Sequence, residues 1–230
     1  MDIKLQVLAL VIGFLVLSVP TSGIPGGYNS DSIFEGVCPN VTVMQNFNRE
    51  QFYGNWHEIT RIEHDLQRST DCVTLDFEKL LTGIAGIQFE SQFLSNNSDL
   101  NRNGIAFVRR PADNQGEFDV VWEADQYSDY DNNTQWFRFR IIETDYTSFA
   151  IMYDCNEYNA TFATDFFWVL SRNRELATDA QTRVDAFRDQ WNITTGVRDT
   201  EQGFSVCNSS GALFISWLLV IAAIGLIKIM

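Results

Sequence analysis

The sequence predicts an all-β domain, an eight-stranded up-and-down antiparallel barrel with one C-terminal helix packed on its wall. Through the middle of the chain, apolar and polar residues alternate with period two in run after run, as half-buried strands require. Near the end the period lengthens to that of a single amphipathic helix. Both ends of the chain are apolar, so the alternating part is framed as the body of an exported protein.

At the front, Lys4 precedes an apolar stretch from Leu5 to Val19, followed by Pro20, Thr21, Ser22 and Gly23. A basic start, an apolar segment and small residues at a cleavage point read as a secretory signal peptide over residues 1–23. An N-terminal membrane anchor would need a longer apolar span. At the rear, residues 212–227 are a sixteen-residue apolar run with only Lys228, Ile229 and Met230 behind it. As a helix it would rise about 24 Å, short of a hydrocarbon core of about 30 Å. Small residues precede it, Asn208, Ser209, Ser210 and Gly211. The pattern reads as a GPI-attachment signal over 208–230, with the lipid joined at Asn208 or Ser209 and the tail removed. Its polar spacer is nearly absent, which leaves a retained transmembrane helix as the alternative. The body, 24–207, is long enough for one domain with a sizeable core.

The whole chain carries 16 basic and 30 acidic residues, a net charge of −14. Loss of Asp2, Lys4 and Lys228 with the two ends makes the body one charge more negative still. Such a surface repels phosphate backbones, so nucleic acid is excluded as a partner. The four cysteines, Cys38, Cys72, Cys155 and Cys207, are an even count in an exported chain and predict two disulfides, with three connectivities open. Their wide spacing does not suit a zinc knuckle. Sequons stand at Asn40, Asn96, Asn132, Asn159, Asn192 and Asn208 and predict N-glycosylation spread over the domain.

Along the body, Val73, Leu75 and Phe77 interleave with Thr74, Asp76 and Glu78. The next run alternates Ile87, Phe89, Ser91 and Phe93 with polar residues. Phe118, Val120 and Trp122 face one way, and Phe137, Phe139 and Ile141 do the same on the following run. Turns are expected at Asn103–Gly104, Pro111–Gly116 and Tyr127–Thr134. Ala177–Trp191 places Ala180, Val184, Phe187 and Trp191 on one stripe, a helix of about four turns. The stripe expected to face the barrel interior is strongly aromatic: Phe77, Phe89, Phe93, Phe118, Trp122, Phe137, Phe139 and Phe149. A barrel of this size either fills with its own side chains or holds one small ligand, and periodicity alone leaves both open.

Three ordered motifs narrow the choice. Gly54-Asn55-Trp56 sits on the first strand, Thr144-Asp145-Tyr146 stands before Phe149–Cys155, and Trp168–Arg172 precedes the helix. Together they resemble the three signatures of the lipocalins, over about residues 35–207. The resemblance implies that Trp56 plugs the closed end of the barrel under the guanidinium of Arg172, a cation–π contact of about 0.5–2 kcal/mol. Gly54 would permit a close bend, and Thr144, Asp145 and Tyr146 a turn at the same end. The cysteine placement is similar to that of the apolipoprotein D and insect Lazarillo branch. That branch implies the pairs Cys38–Cys155 and Cys72–Cys207, an anchor beside the domain, and a neuronal surface role like that of Lazarillo.

The function implied by the resemblance is binding of a small hydrophobic ligand, a fatty acid, sterol, retinoid or bile pigment, on the extracellular face of the plasma membrane. The expected contacts are Phe77, Phe89, Phe118, Val120, Trp122, Phe137, Phe139 and Tyr153. A cell-surface adhesion protein, using the barrel only as a scaffold and its loops for a protein partner, is the alternative. Enzymatic, metal and cofactor signals are poor. Asp99, Asn101 and Asn103 begin a calcium-loop pattern, but its twelfth position is Arg110. Asp125, Asp129 and Asp131 read as a solvated acidic loop. The two histidines, His57 and His64, have no metal spacing, and nothing positions a nucleophilic triad. The chain is therefore expected to be neither an enzyme nor a cofactor protein.

Overall fold

A computed structural model describes residues 33–64, 67–122 and 136–207. The expected signal peptide, the 208–230 tail, the Tyr127–Thr134 turn, Asp125, Asp129, Asp131 and the sequons Asn132 and Asn208 lie outside the described residues. Ten strands form one antiparallel sheet: β1 (Ile33–Glu35), β2 (Gly54–Ile62), β3 (Thr70–Leu81), β4 (Ile84–Phe93), β5 (Ser98–Val108), β6 (Glu117–Trp122), β7 (Trp136–Thr144), β8 (Phe149–Glu157), β9 (Phe162–Ser171) and β10 (Val197–Asp199). Each of β2 to β9 pairs with its sequence neighbour, and β9 pairs back onto β2, which closes an eight-stranded barrel. The outer strands β1 and β10 add to β9 and β2 respectively. Three α-helices, α1 (Arg49–Phe52), α2 (Thr178–Trp191) and α3 (Phe204–Cys207), and a short 3-10 helix at Pro111–Asp113 complete the described fold.

Two apolar clusters result, one inside the barrel and one between its wall and α2. The inner cluster takes Leu75, Phe77, Phe89, Phe118, Val120 and Phe139 from the alternating runs. The outer cluster sets Ala180, Val184 and Phe187 of α2 against Phe149, Ile151, Tyr153, Phe167 and Val169. Here the structure corrects two expectations. Phe149 and Tyr153 do not face the barrel interior; they lie beneath the helix, while Ala150 and Met152 face inward. Because β8 is covered on both faces, its first six residues are all buried and the alternation that reveals a strand's inner face is erased.

A third correction concerns Asn103–Gly104, which is the middle of β5 rather than a turn. Gly104 is there because the Trp122 ring rests against it: a Cβ at this position would stand 2.7 Å from Trp122 Cε3. The turn lies earlier, at residues 94–97, where Asn97 adopts φ 54°.

Both cysteine pairs are formed, Cys38–Cys155 and Cys72–Cys207. The first ties the N-terminal segment to β8. The second ties the chain after β10 to β3, where β2 and β3 have ceased to pair. Their ladder runs only from Gly54↔Phe77 to His57↔Thr74. Beyond it the segment 197–202 bridges them: Thr200 N donates to Ile59 O and Cys72 N donates to Glu201 O, both at 2.8 Å. The Gln202 side chain donates to Glu58 O on one strand and Val73 O on the other.

Under α2, the Tyr153 hydroxyl donates to Asp165 Oδ1. Burial pushes the Asp165 carboxyl up to about 6, and the tyrosine hydrogen bond only partly offsets this. The folded pKa exceeds the unfolded one of about 3.9, so the folded state holds the extra proton between about pH 4 and 6. The charged form is therefore a cost, fully present above about pH 6 and absent below about pH 4. Asp165→Asn keeps an acceptor for Tyr153 and removes the charge. Melting curves should show it more stable than the parent by about 1–2 kcal/mol at pH 7.5, with the two curves converging at pH 4. Equal stability throughout would contradict this assignment.

Candidate functional site: an aromatic cavity in the barrel

One end of the barrel is sealed from the sequence upward. Gly54 has φ +96°, a backbone conformation that calls for glycine, although a Cβ there would meet Arg172 Nη1 only at an ordinary contact distance of 3.5 Å. The next inward residue, Trp56, is fully buried and donates from Nε1 to Phe52 O. Arg172 stacks 3.6 Å from the centroid of that indole. Its nitrogens donate to the carbonyls of Gln51, Phe52, Tyr53, Asn55 and Tyr146. Between β7 and β8, Asp145 accepts from the backbone N–H groups of Thr147, Ser148 and Phe149. Burial raises its pKa, but the hydrogen bonds from Ser148, Phe149 and Thr147 outweigh it and hold the carboxyl below its ordinary value. Thr144 Oγ1 donates to Phe149 O, and Tyr146, at φ 68°, accepts from Asn48 N through its hydroxyl. The three motifs thus converge on one closed end.

Above this plug, Phe77, Phe118 and Val120 fill the barrel beside Phe47 and Phe52. These expected ligand contacts are packing residues and do not reach the cavity. Higher still, the space opens. Four expected contacts, Phe89, Trp122, Phe137 and Phe139, line it, together with Leu75, Met152, Trp168 and Leu170. Three polar side chains complete the lining, His64, Gln67 and Arg102. Atom-free space between the walls and out through the mouth is about 450 Å³, but only about 30 Å³ is roomy enough to centre a water molecule. The rings pack tightly on one another: Trp122 and Phe139 have centroids 6.1 Å apart, and Phe139 and Trp168 5.4 Å. A ligand must therefore displace aromatic side chains as it enters.

The polar corner has a fixed geometry. Trp168 Nε1 donates to Gln67 Oε1 at 2.9 Å, and Gln67 Nε2 donates to Glu58 Oε2 at 2.7 Å. Since an indole can only donate and a carboxylate only accept, the amide has one permitted orientation. Glu58 and Arg61 are both fully buried and meet at 2.6 Å. Thr200 Oγ1 donates to Glu58 Oε1, the oxygen that Arg61 meets, and Arg61 also donates to the Gln67 and Thr70 carbonyls and reaches Glu63 at 3.1 Å. The cavity wall is in this way hydrogen-bonded to the segment that bridges β2 and β3.

Sequence reasoning missed seven of the lining residues, for different reasons. Leu75 was on a recognised stripe. Arg102 shares the inward face of β5 with Leu100 and Gly104, a signal hidden by reading that segment as a turn. His64 and Gln67 come from the β2–β3 connection, which has no period, and Met152, Trp168 and Leu170 come from strands buried on both faces. The sequons Asn40, Asn96, Asn159 and Asn192 are all exposed. Among the described residues, no group of three His, Cys, Asp or Glu side chains is placed to hold a metal ion.

An eight-stranded antiparallel barrel plugged by a tryptophan under an arginine, with one helix on its wall, is a lipocalin fold. No protein-family profile matches the chain. Apolipoprotein D of Mus musculus is 27% identical over 151 residues, 64% of this chain and 72% of that protein. The crustacyanin-C1 subunit of Homarus gammarus is 25% identical over 185 residues, 76% of this chain and 93% of its own. The solved structure of insecticyanin from Manduca sexta superposes with a TM-score of 0.63 at 18% identity, covering 77% of this chain and 92% of that one. The chain resembles the lipocalins, and within them the apolipoprotein D-like branch.

Proposed function

We propose that this protein is an extracellular lipocalin, held at the outer face of the plasma membrane by a GPI lipid, that binds a small hydrophobic molecule in its barrel. The observation that carries the binding reading is the aromatic cavity, sealed below by Trp56 and lined by Phe89, Trp122, Phe137, Phe139 and Trp168. Its chemistry is burial of apolar area, at about 25 cal/mol per Å². A ligand burying about 300 Å² gains roughly 7 kcal/mol before the costs of association and of moving the rings, so micromolar affinity is expected. The sixteen-residue apolar run and the small residues before it support the anchor. By the resemblance of its cysteine placement to that of insect Lazarillo, a role at the neuronal surface is the biological setting to examine.

Protein secreted from eukaryotic cells should carry a stoichiometric apolar molecule, recovered by solvent extraction and identified by mass spectrometry. Its titration should quench tryptophan fluorescence to saturation. An empty extract and no quenching would make the barrel a scaffold and turn the search to loop-mediated contacts with a protein partner. For the anchor, phosphatidylinositol-specific phospholipase C should release the protein from intact cells. Retention beside a released GPI control protein would favour a transmembrane tail.

A further inference from the structure

A second cleft lies outside the barrel, where β9 meets β1 and the end of α2. Asp165 is at its floor, on the outer face of β9 that it shares with Phe167 and Val169. Phe34, Val37 and Pro39 form one wall, and Trp191, Thr194 and Thr195 the other. The first wall is pinned at two points. Strand β1 pairs with β9, and Cys38 is bonded to Cys155, the β8 residue opposite Asp165 in register. About 260 Å³ of this cleft is roomy enough to centre a water molecule, against about 30 Å³ in the barrel cavity. The cleft therefore has room for a ligand of one ring as it stands.

Its chemistry favours a cation. One oxygen of Asp165 accepts from the Tyr153 hydroxyl. Burial, and then the charge of Asp165, push that hydroxyl above its ordinary pKa, so it stays a donor. Among the described residues, Tyr153 is the one side chain that offsets the burial of the Asp165 charge, and no cation does so. A bound ammonium would supply the missing counter-charge. Glu35 adds a second carboxylate to the lining, and no Lys, Arg or His is part of it. Helix α2 ends at Trp191, so the negative end of its dipole lies at the same wall. The basic residue of its last turn, Arg188, donates to Ile193 O and does not line the cleft. Phe34 and Trp191 offer apolar surface and ring faces that attract a cation. The Thr194 and Thr195 hydroxyls can accept from N–H groups, which suits a primary ammonium better than a quaternary one.

We propose that this cleft is a second binding site, separate from the barrel cavity, for a primary ammonium carried on a small aromatic body. Asp165 is the counter-ion, and Trp191 and Phe34 cover the ring. The barrel cavity takes no part in it, so this site stands or falls independently of the apolar ligand.

The test is calorimetric titration of the full chain, from a eukaryotic secretory host, with 2-phenylethylamine and with the neutral 2-phenylethanol of the same shape. At pH 7.5 the amine should bind at least ten-fold more tightly than the alcohol. Equal affinities, or no heat from the amine, would overturn the proposal, and this comparison needs no variant. Asp165→Asn should lower the amine to the level of the alcohol and leave the alcohol unchanged. That variant is expected to be the more stable protein at this pH, so a loss of binding is not a loss of folding. A preference that survives it would place the amine elsewhere, the barrel included. Lowering the pH to 5 should weaken the amine about ten-fold, because the Asp165 carboxyl, with its pKa at about 6, is then mostly protonated. An affinity indifferent to pH would contradict the role of Asp165. Asn192, which carries a sequon, also lines the cleft, in a left-handed conformation that glycine adopts freely. The parent and Asn192→Gly should bind the amine alike. Binding by Asn192→Gly alone would show that the cleft is filled by the protein's own glycan and overturn the assignment.

Discussion

Glu58→Ala is expected to destabilise the folded protein by about 3 kcal/mol, the lower end of the range for removing one partner of a buried ion pair. Glu58 and Arg61 are each completely buried. Without the carboxylate, Arg61 retains Glu63 and two carbonyl acceptors, which is why the loss falls at the low end. The Thr200 hydroxyl and the Gln67 amide lose their shared acceptor at the same time. For a domain of this size, melting temperature should fall by roughly 6–12 °C. Replacing both partners, Glu58→Leu with Arg61→Met, should cost less than Glu58→Ala alone, because no buried charge is left without its counterpart. Hydrogen exchange adds a local readout: amides of 197–202 should lose protection before those of β8 and β9. A Glu58→Ala protein that melts with the parent would show the pair to be energetically idle.

Arg172→Met removes a different kind of support. The guanidinium lies flat on Trp56 and gathers five backbone carbonyls from the approach to β2 and from the β7–β8 turn. Methionine retains apolar contact with the indole but offers none of these hydrogen bonds. A loss of about 3 kcal/mol is expected, since several carbonyls lose a charged donor together. Arg172→Lys should recover little of it, because an ammonium cannot reach the same carbonyls from a planar fork. Trp56 reports the change directly, its emission moving to the red as water reaches the ring. Ligand affinity should change far less than stability, since the cavity lies above the plug. A large loss of affinity with unchanged stability would contradict this division of the barrel.

The sequence was legible where one face of a strand meets the core and the other meets solvent. On β3, β4, β6 and β7 the apolar stripe marked the inner face correctly. Four cavity residues, Phe89, Trp122, Phe137 and Phe139, came directly from it. The same rule failed on β8, where the helix covers the outer face and Phe149 and Tyr153 are as buried as their inward neighbours. Gly104 shows a second kind of failure. Next to an asparagine it reads as turn chemistry, yet its role is to make room for a ring on the adjacent strand. A pattern within one segment does not record a requirement imposed by another.

Composition and period by themselves determined the strand-rich body and the long helix that follows its strands, and the resemblance of three ordered motifs to the lipocalins pointed to the closed end where Gly54, Trp56 and Arg172 meet. The strands and the helix rest on local propensity and on a spacing that one face of one element enforces, whereas the closed end rests on the family resemblance alone. Only the tertiary structure decided how deep each aromatic residue lies, which leaves Phe77 and Phe118 packed just above the plug and Phe89 and Trp122 at the cavity. The tertiary structure also brought Gln67, Trp168, Glu58 and Thr200, up to 142 positions apart, into one hydrogen-bonded chain. Closing the sheet on itself fixes those neighbours, and no local stretch of sequence carries the register of a barrel closure.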